Sequence, residues 1–182
     1  MTNAYKVRPL TEPDIDLVIS YFHDLSVQDA NRMGLKKENL PSPADWRAAM
    51  LKGIKTPPAE PRGFLLIWEL DGVAVGMNTI KDMTPGDTGY MHLHRWAQGL
   101  RGQGHGRRFF CLAAHEFFAR FNLRHIYCEP RSTNPAPNRM LQQIGFPLIK
   151  TYTGQSSAIA DVCELNRYEV LPDICRSSLT RR

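Results

Sequence analysis

The chain lacks any apolar run approaching the roughly 20 residues that a membrane-spanning helix requires. Its opening residues, Met1 to Pro9, contain no apolar stretch of the signal-peptide kind. These absences lead to the expectation of a cytoplasmic protein with no membrane partner. Cysteine is scarce: Cys111, Cys128, Cys163 and Cys175 are widely spaced and form no CxxC pair. Structural zinc sites and redox dithiols are built from such pairs, so the thiols are read as reduced and mostly structural. No Gly-Lys dipeptide occurs, which excludes the mononucleotide loop GxxxxGK[ST]. The net charge of +5 is spread along the chain without a basic stripe interleaved with aromatics. Nucleic acid is therefore not an expected partner. There is no internal repeat and no sign of a second domain. The 182 residues, of which 42% are hydrophobic, suffice for one domain with its own core, without disulfide or metal staples.

Local patterns supply the elements. Tyr5 to Leu10 reads as a first strand. Thr11 and Asp14 form a capping box ahead of Ile15, Val18, Ile19 and Phe22, which fall on one helical face. A second helix opens at Ser42, with Pro43 in its first turn and Trp46, Ala49, Met50 and Ile54 as its apolar face. Lys55 to Arg62 reads as a proline-rich loop. Gly63 to Leu70 is continuously apolar, as in a strand covered on both faces. Asp71-Gly72 is a two-residue hairpin turn into a return strand, Val73 to Lys81. After the Pro85-Gly86-Asp87 turn, Tyr90 to Trp96 alternates, with Tyr90, His92, His94 and Trp96 on one side and Met91 and Leu93 on the other. A helix is expected from about Gly106 to Phe121, a strand over His125 to Glu129, and a helix over Asn134 to Ile144 closed by Gly145. Pro147 to Thr153 and Val162 to Val170 form a final antiparallel pair. Trp46 and Trp68 are assigned to the core, and Arg176 to Arg182 to a solvated tail. The expected fold is α+β: a single domain over 1–182, with a mixed, mostly antiparallel sheet of about seven strands flanked by about four helices.

The segment that carries chemistry is Leu100-Arg-Gly-Gln-Gly-His-Gly-Arg-Arg108, between a predicted strand and a predicted helix. Unpaired amides and partial positive charge at a helix start hold phosphate. Glycines let the backbone approach an oxygen closely, and Arg101, Arg107 and Arg108 add charge. A dinucleotide fingerprint would read GxGxxG in the first βα unit of a parallel sheet; this loop reads GxGxG past mid-chain. It matches instead R/Q-x-x-G-x-G/A, through Arg101, Gly104 and Gly106.

With that pattern the sequence resembles the GNAT superfamily of acyltransferases, whose pyrophosphate-binding motif has this form. Asn134-Pro-Ala-Pro-Asn-Arg-Met-Leu-Gln-Gln-Ile-Gly145-Phe146 resembles the family's next motif, one helix and one strand downstream. The resemblance spans nearly the whole chain, with specific motifs from about Tyr90 to Phe146. It implies an acetyl-coenzyme A (acetyl-CoA)-dependent N-acetyltransferase, in which a primary amine of a small molecule or peptide attacks the thioester directly. It implies cofactor contacts at Trp96, Arg101, Gly102, Gln103, Gly104, His105, Gly106, Arg107, Asn134 and Asn138. His105 is expected to be partly exposed and to face the phosphates.

Amine attack needs a neutral nitrogen. Family members often use a Glu, or a His through water, on the strand before the loop; here that face offers His92 and His94 and no carboxylate. An imidazole titrates near neutrality, so either His92 or His94 is a candidate catalytic relay; lining the substrate cavity is the alternative role for both. No third ligand stands near the H-x-H pair, so no metal is expected. The sequence departs from the family at Leu141, where many members carry a tyrosine as general acid; Tyr127, Tyr152 or water remain as candidates. Glu129 either touches substrate or caps the next turn, the second being preferred. The acceptor site is expected between the Asn31 to Arg62 segment and Thr151 to Asp161. Glu12, Asp14, Asp45 and Glu60 would suit a cationic amine, although most of them have capping roles. Two rival readings stand: a transferase using another acyl-CoA, and an acetyl-CoA-binding sensor without turnover. Exposed strand edges leave a homodimer open.

Overall fold

A computed structural model describes residues 3–57, 61–100 and 102–180. Arg101, Glu60 and the last two arginines of the expected tail lie outside the described residues. Seven strands form one sheet in the order β1-β2-β3-β4-β5-β7-β6. β1 (Tyr5–Pro9), β2 (Phe64–Leu70), β3 (Val73–Thr84) and β4 (Thr88–Arg95) are successive antiparallel neighbours. Asp71 and Gly72 turn β2 into β3 with φ of 50° and 83°, the left-handed pair that the hairpin demands. β3 continues to Thr84, beyond its expected end at Lys81. β5 (His125–Cys128) runs parallel to β4, and β7 (Val162–Val170) lies antiparallel between β5 and β6 (Leu148–Gln155). A parallel pair needs a crossover, and α4 (His105–Phe121) supplies it.

Alternation along the central strands divides the core. Leu66, Ile80 and Met91 pack with Phe110, Ala114 and Phe117 of α4, and with Leu141 and Ile144 of α5 (Pro135–Ile144). On the opposite face, Ile67 and Met77 meet Val18 and Phe22 of α1 (Ile15–His23) and Ala30 of α2 (Val27–Met33). Leu66, Ile67 and Trp68 are all buried, so β2 is covered on both faces as its continuous apolar run requires. The β3 position opposite Arg95 must be glycine: a Cβ on Gly76 would lie 2.7 Å from the His94 carbonyl oxygen and 2.7 Å from the Trp68 ring. Asp14 accepts from the Thr11 N–H at 2.9 Å and also receives the Arg8 guanidinium. Burial alone would raise its carboxyl pKa, but the hydrogen bonds from Arg8 and Thr11 prevail and hold it below the ordinary value.

Two further helices join the four expected ones. α2 is short and mostly polar, so its apolar periodicity is weak; Ser26 caps its start by accepting from the Asp29 N–H, and left-handed Gly34 ends it. α6 (Pro172–Thr180) replaces most of the expected solvated tail. Cys175 is buried, and Ile174 and Leu179 pack on the α4 side of the core, an apolar face that outweighs the basic character of the segment. α3 (Pro43–Lys55) has no fully buried residue. Trp68 is a core residue as expected, whereas Trp46 is half-buried, because α3 stands off the sheet across a cavity that Trp46 lines.

Candidate active site

β4 and β5 pair at three positions, Thr88 with His125, Gly89 with Ile126 and Tyr90 with Tyr127. β5 then ends at Cys128 while β4 continues to Arg95, paired there with β3. Among the described residues no strand pairs with the other edge of Met91 to His94. Backbone polar groups inside a sheet require partners, so this wedge suits a ligand that carries amides.

The helices that follow the two diverging strands begin at the open end of the wedge, because each returns antiparallel to its strand. α4 starts at Gly104, whose φ of 79° is left-handed and whose place as N-cap leaves the first amides without a side-chain cap. Among the described residues a Cβ on Gly102 or Gly104 would meet nothing within 4 Å, so the space above the loop is open to a ligand. There are no acids in the first turn, and Arg107 and Arg108 follow directly. An anion is favoured there by both amides and charge. The middle of α5 packs against this first turn: a Cβ on Gly106 would lie 3.6 Å from Met140 Sδ.

The structure sorts the predicted cofactor contacts. Gly102, Gly104 and Gly106 stand at the open loop. His105 turns inward and is buried, with Nδ1 at 2.7 Å from the Tyr5 hydroxyl and Nε2 at 3.1 Å from Gln103 Oε1, while Gln103 is exposed and its Nε2 donates to the Gly99 carbonyl. The expectation of a partly exposed His105 facing phosphates is corrected, because its ring ties the loop to β1 and only its backbone amide faces the helix start. Arg107 Nε donates to Ser178 Oγ of α6 at 2.7 Å, and the Arg108 guanidinium lies 4.5 Å above the Tyr5 ring. Trp96 lies just past β4, with its indole N–H on the Ala74 carbonyl.

The two asparagines differ. Asn134, the N-cap of α5, makes no side-chain cap bond, and its Oδ1 is buried without a partner among the described residues. Such an orphaned acceptor calls for a donor. Asn138 has no such capacity. Its Nδ2 donates to the Arg131 and Asn134 carbonyls, and its Oδ1 accepts from Asn166 Nδ2 and from the Tyr168 hydroxyl. The expected cofactor contact at Asn138 is thus replaced by an internal one that fixes the start of α5.

The opposite face of β4 looks into a cavity of ≈ 720 Å³ between the sheet, α1 and α3, bordered also by Ser156 to Ala160. His92 and His94 both line it. Burial pushes the His92 imidazole down to about 3, with Lys81 and His94 adding repulsion, and pushes His94 down to about 4. Titration near neutrality is therefore corrected: both rings stay uncharged there because their burial disfavours the cation. His92 Nε2 is buried without a partner among the described residues, and His94 Nδ1 lies 3.4 Å from the Tyr21 hydroxyl.

Several site residues were missed from sequence. Lys81, opposite Tyr90 on β3, reaches into the same cavity and donates to the Ser156 carbonyl; burial lowers its ammonium pKa, with Asp82 and Glu129 opposing. Arg167 of β7 lies over the rings of Tyr90, Tyr127 and Tyr152 at 5.1–5.4 Å and donates to Glu129 Oε1 at 2.5 Å. Glu129 also accepts from the Tyr152 hydroxyl at 2.7 Å, so it closes an ion-pair cluster instead of capping a turn. Strand alternation could have flagged Lys81, since it shares a face with Thr79; nothing local signals Arg167. Leu141 is wholly buried in the α4 core. Among the described residues no group of three His, Cys, Asp or Glu could hold a metal ion, and no helix is long and apolar enough to cross a membrane.

A model of the Acetyltransferase (GNAT) family matches residues 30–146, more than half of the chain. No sequence among curated proteins matches. Similar solved structures include the spermidine N-acetyltransferase of Vibrio cholerae in complex with CoA and spermine, at 14% identity and TM-score 0.72, covering 94% of this chain and 98% of that one. The ribosomal-protein-S5-alanine acetyltransferase of Vibrio fischeri matches at 15% identity and TM-score 0.71, covering 93% of both chains. RimL, a ribosomal L7/L12 alpha-N-protein acetyltransferase in complex with coenzyme A, matches at 15% identity and TM-score 0.69, covering 93% of this chain and 95% of that one.

Proposed function

This chain belongs to the acetyltransferase (GNAT) family, and we propose that it moves the acetyl group of acetyl-CoA to a primary amine of a small molecule or peptide. The observation that carries this reading is the wedge between β4 and β5, which meets the bare N-terminus of α4 at one end and backs onto a partly open cavity across β4. The amides of Gly102 to Arg107 and the nearby arginines would hold the pyrophosphate. The edge of Met91 to His94 that no strand covers among the described residues would pair with the amide-bearing arm, and the orphaned Asn134 Oδ1 would accept from it. Bound there, the cofactor supplies an activated acyl carbonyl. Similar structures solved in complex with CoA support CoA as the ligand.

The protein's own part is to present a neutral amine and dispose of its proton. His92 and His94 are uncharged at neutral pH, so each can accept a hydrogen bond from the amine. Neither can store a proton in that environment, so we assign His92, whose Nε2 lacks a partner, the role of passing it to water. The test is thiol release from acetyl-CoA by the pure protein, with and without a panel of amines, alongside the melting temperature with acetyl-CoA. Acceptor-dependent release is expected. Absence of any thermal shift would overturn the cofactor assignment.

A further inference from the structure

The cavity bordering His92 is large enough for an organic molecule of moderate size and is mostly apolar. Phe22, Trp46, Met50, Ile54, Met77 and Ile159 supply much of its wall. Its charged lining residues are Lys81 and Arg120; among the described residues no carboxylate lines it. Arg120 is already committed to Glu116, at 2.9 Å and 2.5 Å, on the outer side of α4. Lys81 is different. Its side chain is three-quarters buried, and its nearest acid, Asp82 at 3.5 Å, is largely exposed to solvent. The ammonium donates to the Ser156 carbonyl and feels the charge of Glu129, with which it makes no ion pair; burying a second cation beside it would be costly.

Position supplies the rest. Thr79 stands directly opposite His92 across the β3–β4 ladder, and Lys81 follows on the same face, opposite Tyr90. His92 and Lys81 are thus diagonal neighbours, a spacing that long side chains bridge. An acceptor amine at His92 would place a group a few bonds away within reach of the Lys81 ammonium, with the remainder of the molecule against the apolar wall.

Resting on the acetyltransferase reading, we propose that the acceptor is an apolar amino carboxylate: a primary amine with an aryl or alkyl body and a carboxylate a few bonds from the nitrogen, paired with Lys81. Polyamines, which the Vibrio cholerae relative binds, are disfavoured here because they bring several cations to a cavity whose partly buried charge is already positive. A peptide N-terminus also lacks the adjacent carboxylate.

The experiment compares phenylalanine, phenethylamine and spermidine as acceptors by thiol release, with wild type, Lys81→Met and Lys81→Arg. In wild type, kcat/KM for phenylalanine should exceed that for phenethylamine by roughly tenfold or more, the size of a charge-assisted hydrogen bond. Lys81→Met should collapse that ratio toward one, and Lys81→Arg should keep most of it. Spermidine should be the poorest acceptor. Transfer that favours spermidine, or a ratio that Lys81→Met leaves intact, overturns the inference while leaving the acetyltransferase reading in place. Silence with all three amines while acetyl-CoA still raises the melting temperature also overturns it. Silence with no thermal shift sinks the underlying reading itself. Melting temperatures of both variants show whether the fold is retained.

Discussion

β4 borders two half-sites of opposite construction. At its wedge edge and the start of α4, the groups on offer are backbone amides and carbonyls, held open by Gly102 and Gly104. Across its other face they are side chains: two uncharged imidazoles, one partly buried ammonium and an apolar wall contributed by α1, α3, β2, β3 and the segment before β7. The first half depends on conformation and tolerates changes of side chain. The second depends on side-chain identity and on exclusion of water. A half-site made of amides can serve any ligand with a pyrophosphate; the other is where one acceptor is told from another.

The contrast can be broken most sharply at Gly104. Gly104→Val forces a β-branched residue into a left-handed conformation, at about 1–2 kcal/mol of strain, and puts methyl groups into the open space above the loop. The thermal shift given by acetyl-CoA should disappear, with kcat/KM falling by about two orders of magnitude or more; an unchanged shift would refute the placement of the pyrophosphate. The complementary change is His92→Leu. It should lower kcat by roughly 100-fold, the scale of general-base catalysis, while the thermal shift survives. Full turnover in that variant would leave His92 as cavity lining only.

Smaller effects separate the two asparagines. Asn138→Ala strips donors and acceptors from buried partners and should cost about 2–3 kcal/mol of stability, read as a lower denaturation midpoint. Asn134→Ala should leave that midpoint unchanged and raise the KM for acetyl-CoA by about fivefold, one hydrogen bond's worth. The reverse pattern would exchange their roles.

The last effect is a slope. The folded His92 and His94 bind protons only near pH 3 and 4, against 6.5 ordinarily. Between those limits the unfolded chain binds more protons than the folded one, so stability falls as pH drops below 6.5. Each imidazole contributes about 1.4 kcal/mol per pH unit in that window. Urea midpoints measured from pH 7 down to 4.5 should fall less steeply for His92→Leu than for wild type; equal slopes would mean that the ring is not buried as described. For the same reason, the rate profile should show no inflection from these rings near pH 6.5.

The amide half was legible in the sequence because its determinants are local. Glycine spacing, the strand before it and the helix after it lie within a short stretch, and the Asp71-Gly72 turn and the caps at Ser42 and Gly145 were readable for the same reason. The other half was legible only in outline, as the Asn31 to Arg62 and Thr151 to Asp161 segments and the two histidines, since Lys81 joins them from an element far away along the chain. Where local patterns misled, they fixed a position without fixing a direction. Asn138 and His105 stand at the expected helix starts, yet their polar atoms point inward, to Tyr168 and Tyr5. α2 and α6 escaped because one is short and polar and the other has few apolar residues, spread among polar ones and running into the arginines that end the sequence.

The three rungs shared by β4 and β5 have a mechanical consequence. The sheet is two blades, β1 to β4 and β5 to β7, hinged at Tyr90 and Tyr127 and splayed beyond them. A donor whose arm spans the splay acts as a strut, so the blades should breathe together when it is seated and independently when it has left. Amide exchange along Met91 to His94 should therefore slow on cofactor binding, together with exchange at the first turns of α4 and α5.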